Sequence, residues 1–371
     1  MVSAMKNFIK DEKSLTFVLL FAVVAYFMEH TIFSLGQTGS LVMTMVLVTV
    51  VILASIRIAH HAELLAEKVG EPYGTMILTL CAVLVEVVIL AIMMSNSGSP
   101  TLARDTIYSA IMLDINGILG LAAFIGGMKY GVQEYNDDSS KSYLAMIATA
   151  VGVSMIIPEF IDADKWKIYS VFCIFVMIMF YVLFLRLQTG VHSYFFNYSY
   201  IEKARKAGKV IPQEEVHEEE INVKKSASIL VFGIVLVGFL AEIMSKTMQT
   251  GIEGTGIPIV FAGLLVAAIS ASPEIMTAVK AALINRMQPV INIALGATLS
   301  TVVLTVPIME IIALIKDQPI NMAMTPVQTG MVIITFLVAM MNLHDGKSNA
   351  IEGMTHFVLF ATFIMLAVIG Y

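Results

Sequence analysis

The sequence contains eleven apolar runs of roughly twenty residues, and this pattern constrains the fold more than any other feature. A helix of that length spans the hydrocarbon core of a bilayer. Hydrophobic residues make up 58% of the 371 residues and charged residues only 13%, which leaves no room for a sizeable soluble domain. We therefore predict an all-α polytopic membrane protein with the lipid bilayer as its main solvent and no nucleic acid partner. Its eleven transmembrane helices are predicted at 14–34, 39–59, 74–95, 105–127, 142–158, 166–187, 226–246, 257–284, 288–315, 325–341 and 353–370.

The basic residues predict how these helices are oriented. With the N-terminus in the cytoplasm, 17 of the 22 lysines and arginines fall in cytoplasmic segments. The exceptions are Arg104, Lys165, Lys167, Lys246 and Lys316. Since cytoplasmic loops carry an excess of basic residues, we expect a cytoplasmic N-terminus and an external C-terminus.

The predicted helices divide into two sets of five around an acidic linker. We predict an N-terminal cytoplasmic segment with an extra helix (1–36), a first five-helix repeat (37–190), a cytoplasmic acidic linker (191–225) and a second five-helix repeat (226–371). Because five is odd, the two repeats must be inverted relative to each other. Transporters with inverted repeats place their substrate site near the bilayer midplane, at the repeat interface.

Two glutamates lie near the middle of long apolar segments, one in each repeat. Glu86 lies within CAVLVEVVILAIMM and Glu274 within VAAISASPEIMTAVKAAL. A carboxylate at this depth costs about 3 kcal/mol or more, so such residues are functional by default. We expect both glutamates to bind cations and protons.

The helix that follows each glutamate carries a stripe of small polar residues. Aligning Glu86 with Glu274 brings Asn116 opposite Ser300 once a four-residue insertion near Gly98–Thr101 is allowed. If the stripes face the acidic helices, Asn116, Ser300 and Thr301 are candidate cation ligands, although small polar residues in membrane helices also serve only to pack helices together. The stripes are Thr106, Ser109, Asn116 and Gly120 in the first helix and Thr298, Thr301 and Thr305 in the second.

The segment Ser270-Ala271-Ser272-Pro273-Glu274 is the most specific short motif. Proline has no N–H, so Pro273 frees the carbonyl of Ile269 beside the Glu274 carboxylate. Oxygen atoms of this kind are ligands for a hard cation such as calcium. Ser270 and the Ile269 carbonyl are therefore candidate ligands, and the alternative is a plain proline kink. In the first repeat only Thr79 shares the face of Glu86.

Two further acids lie in the predicted helices. Asp114 is near the centre of its helix but about 200° from Asn116 on a helical wheel, off the polar stripe. A structural and a functional role for Asp114 therefore both stay open. Glu310 lies towards a helix end, where we expect solvation at the membrane interface.

Several segments resemble the ChaA-type cation/proton antiporters of the cation/calcium exchanger superfamily. They are SASPEIMTAVKAALINRMQPVINIALGATLSTVVLTVPIME, ARDTIYSAIMLDINGILGL, GEPYGT and NAIEGMTHFVLFATFIMLA. The resemblance implies a ten-helix core of two inverted repeats plus an extra first helix, in the plasma (inner) membrane of a prokaryote, with Glu86 and Glu274 carrying cations in exchange for protons. Related calcium exchangers have Gly-Asn before each acid, where this chain has Ala82-Val83 and Ser270-Ala271. Sodium and potassium therefore remain alternatives to calcium.

We expect a secondary antiporter in which a cation and protons compete for the two glutamates. The transported ions, calcium or alternatively sodium or potassium, together with protons, are the expected partners, and no cofactor is expected. A cation channel lined by the same acids is less favoured, because a channel needs no inverted duplication. An enzyme is not expected, since the chain has no HExxH, GxSxG or P-loop motif.

Overall fold

The computed structural model describes residues 12–69, 73–190, 192–196, 222–253, 255, 258, 260–318 and 320–371. The described chain is helical apart from two three-residue strands and the connections. Most of the predicted acidic linker (191–225) lies outside the described residues.

The helices follow the predicted apolar runs. They are α1 (Lys13–Phe27), α2 (Glu29–Phe33), α3 (Gln37–Val69), α4 (Tyr73–Ser97), α5 (Leu102–Met112), α6 (Leu119–Tyr130), α7 (Asp137–Val151), α8 (Trp166–Gln188), α9 (Val223–Ile252), α10 (Val260–Leu283), α11 (Met287–Ser300), α12 (Val306–Lys316), α13 (Pro326–Asn342) and α14 (Ala350–Ile369). π-helical turns at Leu113–Ile118 and Thr301–Thr305 join α5 to α6 and α11 to α12, so each pair forms one long rod.

Nine helices of the described chain are long and apolar enough to cross a membrane. The helices α1 and α13 are also apolar but shorter, with 15 and 17 residues. The count of eleven spans therefore stays a prediction. Helix α3 continues ten residues beyond its predicted end at residue 59, because the sequence AELLAEKV that follows is rich in strong helix formers.

Helices from the two halves of the chain pack against each other rather than forming separate bundles. The long helices α3 and α9 contact each other extensively, α10 packs on α5, and α14 packs on α6. The rods α5–α6 and α11–α12 are the most deeply buried of the spanning segments. Residues far apart in the sequence are thereby brought together at the centre of the molecule.

The two strands modify the predicted all-α fold slightly. Strand β1 (Val132–Glu134) follows α6 and pairs antiparallel with β2 (Lys347–Asn349), which precedes α14. The pairing joins a loop of the first half to a loop of the second half.

The N-terminal helix is anchored by a buried acid immediately before it. Glu12 is 2% exposed and accepts two hydrogen bonds from the Arg57 guanidinium, at 2.5 and 2.7 Å. His61 Nε2 lies 3.1 Å from Glu12 Oε1, and its Nδ1 lies 3.3 Å from the Ser226 hydroxyl of α9. Burial alone would raise the pKa of Glu12. The hydrogen bond and charge of Arg57, together with His61, lower the pKa by a larger amount, so the pKa of Glu12 lies below its usual value. The acid thus ties α1 to α3 and, through His61, to α9.

Candidate cation site

A cavity of about 340 Å³ lies between the two halves of the chain. Near the middle of the helices it is bordered by Glu86, Asp114 and Glu274. Towards one end it is bordered by Glu63 of α3 and Gln188 of α8. This end, here called the mouth, is the one that the basic residues assign to the cytoplasm.

The opposite end of the helices is closed by a buried polar network. Arg104 Nη2 forms an ion pair with Asp105 Oδ1 at 2.8 Å, and both residues are at most 9% exposed. Gln328 Nε2 of α13 donates to the same Asp105 oxygen at 3.1 Å, and Arg104 Nη1 donates to the Ala323 carbonyl at 3.1 Å. The cavity is therefore bordered by polar groups at its mouth, while the other end of the central helices is held shut by contacts between α5 and the α13 region.

Glu86 lies in the middle of α4, where apolar neighbours fix the helix and leave the carboxyl group 2% exposed. Thr301 Oγ1, in the π turn after α11, donates a hydrogen bond to Glu86 Oε2 at 3.0 Å. The other oxygen, Oε1, is buried and has no hydrogen-bond partner among the described residues. Because a buried polar atom normally has a partner, the acceptor capacity of this oxygen is unused by the described protein.

Glu274 follows Pro273 in α10, which continues as a helix through the proline. The carbonyl of Ile269 that Pro273 frees accepts a hydrogen bond from the Ser272 hydroxyl at 2.8 Å. The Ile269 side chain is fully buried, and the residue does not border the cavity. The serine hydroxyl takes the place of the missing N–H, and since Ile269 does not border the cavity we do not include its carbonyl among the proposed ligands.

Asp114, for which the sequence left a structural and a functional role open, borders the cavity although it lies off the polar stripe of its helix. It is 2% exposed, and its Oδ2 lies 3.2 Å from Thr298 Oγ1, whose hydrogen is shared with the Ala294 carbonyl 2.9 Å away. Asp114 also lies within electrostatic range of Glu86 and Glu274. Its position at mid-helix is the sequence signal for a functional role, whereas the polar stripe that predicted the lining lies on the opposite face.

Asn116 does not border the cavity. Its Nδ2 donates to Thr335 Oγ1 at 2.8 Å, and its Oδ1 lies 3.0 Å from His356 Nδ1. The same face carries Gly120, where an added Cβ would lie only 2.8 Å from the Cβ of His356. This stripe of small polar residues therefore packs α5–α6 against α13 and α14, as such stripes commonly do in membranes. Asn116 is accordingly not one of the ligands that we propose.

The remaining candidate ligands, Thr79, Ser270, Ser300 and Thr301, all border the cavity. The hydroxyl groups of Ser270 and Ser300 donate to carbonyl oxygens of their own helices, at 3.0 and 2.8 Å. Each hydroxyl oxygen keeps lone pairs that can face an ion. The structure thus brings hydroxyl groups of both halves to the cavity that the two glutamates border.

The charged residues that border the cavity are acidic. Four acids border it, namely Glu63, Glu86, Asp114 and Glu274, whereas its described lining contains no lysine, arginine or histidine. Among the described residues, no three His, Cys, Asp or Glu side chains are clustered closely enough to hold a metal ion as a resident group. The charged groups in the described lining are therefore all acidic.

Glu310 is buried elsewhere, which corrects its expected solvation at the membrane interface. It is 3% exposed, and its Oε2 has no hydrogen-bond partner within the described chain. Helix α12 packs on α8 there, with Tyr169 and Cys173 nearby. The covering helix α8 excludes the water that the position near a helix end led us to expect.

Comparisons with known proteins find similarity along most of the chain. The profile of the family described as sodium/calcium exchanger protein matches residues 39–190 and 225–369. The sodium-potassium/proton antiporter ChaA of Escherichia coli (strain K12) is 28% identical over 95% of both chains. A Ca²⁺/H⁺ antiporter of Aphanothece halophytica is 26% identical over 75% of this chain and 76% of its own. The crystal structure of the Ca²⁺/H⁺ antiporter protein YfkE, at 20% identity, superposes with a TM-score of 0.75 over 96% of this chain and 98% of that one. The resemblance predicted from the sequence segments is confirmed, and these relatives are transporters, not enzymes.

Proposed function

Because the chain belongs to the sodium/calcium exchanger protein family, we propose that it is a secondary cation/proton antiporter that exports calcium in exchange for protons. The observation that carries this proposal is the pairing of Glu86 and Glu274, one from each half of the chain, at a cavity without a basic residue in its described lining. Calcium and protons are the substrates, and no cofactor is proposed.

The exchange follows from the charges at the cavity. Two ionised glutamates in a poorly hydrated site repel each other, and either a cation or protons relieve that repulsion. A cation and protons therefore compete for the same carboxylate oxygens. If the loaded site faces one side of the membrane at a time, the competition becomes an obligatory exchange.

The proposed ligands are oxygen atoms from both halves. Glu86 and Glu274 supply the charge, and both also carry the protons. Hydroxyl oxygens of Thr79, Ser270, Ser300 and Thr301 and water molecules complete the shell, since calcium prefers six to eight oxygen ligands. The free Oε1 of Glu86 supports this assignment, because its acceptor capacity is not used by the described protein.

Alternating access would require the two ends of the cavity to open in turn. In this structure the mouth side is bordered by Glu63 and Gln188, and the Arg104–Asp105–Gln328 network holds the opposite end together. Opening the opposite end would require α13 to move away from α5, which would break the network, while the mouth closes. The proposed orientation, in the plasma membrane of a bacterium with the N-terminus in the cytoplasm and the C-terminus outside, makes this the inward-open form.

Exchange of sodium or potassium for protons is the alternative, and one comparison favours it. The Escherichia coli relative is named a sodium-potassium/proton antiporter and covers 95% of this chain. The proposed ligands, carboxylate and hydroxyl oxygens, suit all three ions.

Everted membrane vesicles from cells without their own cation/proton antiporters test the proposal. The vesicle interior is acidified by respiration, and the pH gradient is followed with a fluorescent amine dye while calcium, sodium or potassium chloride is added. We expect calcium to dissipate the gradient at the lowest concentration. A gradient that no cation dissipates, with the protein present in the membrane, contradicts antiport; a response to sodium or potassium alone identifies the alternative.

A further inference from the structure

Asp114 adds a third carboxylate to the two glutamates in the middle of the cavity. It is 2% exposed and lies within electrostatic range of both Glu86 and Glu274. Its nearest described hydrogen-bond donor is the shared hydroxyl of Thr298 at 3.2 Å, which is a neutral group. No basic side chain in the described lining balances the charge of Asp114.

We infer that Asp114 selects divalent over monovalent cations at this site. The inference rests on the proposed function, since it concerns the same cation. The energy of a fixed charge with an ion is proportional to the charge of the ion. Each carboxylate therefore favours calcium over sodium, and a third one adds to the preference of the first two.

The number of charges at the site also favours calcium over sodium. Three carboxylates with one sodium ion leave two negative charges uncompensated in a buried site, whereas one calcium ion leaves one. Uncompensated charge within the membrane is costly, so the larger ionic charge is favoured. A second observation is Glu86 Oε1, which is buried and has no hydrogen-bond partner among the described residues, in a side chain that borders the same cavity.

Asp114 need not touch the ion to select it. No three His, Cys, Asp or Glu side chains of the described chain are close enough together to hold a metal, so the inference does not make Asp114 a direct ligand. Through-space attraction is weakly screened in a buried, poorly hydrated cavity. The contribution of Asp114 therefore acts through charge, and an isosteric neutral residue should remove that contribution.

The test is direct binding of calcium and of sodium to the purified full-length protein by titration calorimetry, at one fixed alkaline pH with choline as the balancing ion. In Asp114→Asn, the logarithm of the loss in calcium affinity should be about twice that for sodium. A tenfold loss for sodium would then accompany roughly a hundredfold loss for calcium. Asp114→Glu keeps the charge and should retain the wild-type preference. Asp138→Asn, which removes an exposed acid outside the cavity lining, should change neither affinity.

Equal losses for both ions in Asp114→Asn would overturn the inference, because they indicate a role in shape or packing. Unchanged affinities would overturn it as well, because Asp114 would then carry no charge that the ion senses. The result of this binding test can be distinguished from the result of the vesicle test of antiport. If the binding ratio is observed but vesicles show no cation-driven proton movement, antiport fails and the selection by Asp114 stands.

Discussion

Thr301 Oγ1 donates a hydrogen bond to Glu86 Oε2 at 3.0 Å, and this bond joins the two halves of the chain at the cavity. Glu86 belongs to α4, and Thr301 lies in the π turn that follows α11. The bond fixes one oxygen of the carboxyl group, and the other is buried without a hydrogen-bond partner among the described residues. One residue of the second half thereby orients the proposed ligand of the first.

Glu86→Gln and Glu274→Gln should each abolish cation/proton exchange while the protein still inserts into the membrane. An amide keeps the shape of the carboxyl group but cannot carry the charge or the proton. The measurement is the cation-driven pH change in everted vesicles, with protein levels checked by immunoblot. Near-normal exchange in either variant would rule out a site shared by cation and protons.

Thr301→Val should weaken cation binding by roughly fivefold, since a hydrogen bond of about 1 kcal/mol that orients Glu86 is lost. Thr305→Val provides a matched control one turn further along the rod. The hydroxyl of Thr305 is buried and has no hydrogen-bond partner among the described residues, and Thr305 does not border the cavity. Binding calorimetry of both variants is the measurement, and equal effects at the two positions would contradict the role of Thr301.

Ser272 and Pro273 should interact energetically through the Ile269 carbonyl. In the wild type, Ser272→Ala leaves that carbonyl without its 2.8 Å hydrogen bond and should cost about 1 kcal/mol of unfolding free energy. In a Pro273→Ala background the restored N–H can bond the same carbonyl, so Ser272→Ala should cost little. The double-mutant cycle is measured from unfolding in detergent. Additive effects would mean that the serine does not substitute for the missing N–H.

The anchor of α1 predicts a pH-dependent contribution to stability. The pKa of Glu12 in the folded protein lies below its usual value of 4.5, which is expected in the unfolded chain. The stabilisation is therefore fully present above this value and is lost as the pH falls through the lower, folded pKa. Glu12→Gln should reduce the free energy of unfolding by about 3 kcal/mol at neutral pH, because Arg57 loses its buried partner.

Below the folded pKa of Glu12, the variant and the wild type should converge in stability. Thermal unfolding in detergent at neutral and acidic pH measures the difference. If the difference in stability between Glu12→Gln and the wild type stays constant from neutral to acidic pH, the charge of the Glu12 carboxylate does not stabilise the attachment of α1.

The predicted topology can be tested by thiol labelling after Cys81 and Cys173 are replaced. A cysteine placed in the linker 191–225 should be shielded from impermeant reagents in intact cells, and one placed at Tyr371 should be labelled. Labelling of the linker in intact cells would reverse the proposed orientation and, with it, the side to which the cavity opens.

The fold and the two central acids could be predicted because they depend on local sequence. Long apolar runs form membrane helices wherever they occur, and Glu86 and Glu274 interrupt two of them at mid-length. The burial of Glu310 could not be predicted in this way. It depends on α8, a helix more than 120 positions away in the chain, covering α12.

The sequence by itself determined the helical membrane fold, the family and the presence of one acid in each half, because hydrophobic length and short motifs are local properties. Only the tertiary structure decided which face of α5–α6 borders the cavity. Asp114 and Asn116 point to opposite sides of that rod, and a helical wheel cannot tell which side meets α10–α11 and which meets α14. Because Gly120 has no side chain, the face of the rod that carries Asn116 can pack closely against α14. Asp114 is thereby left at the cavity, where its charge adds to those of the two glutamates.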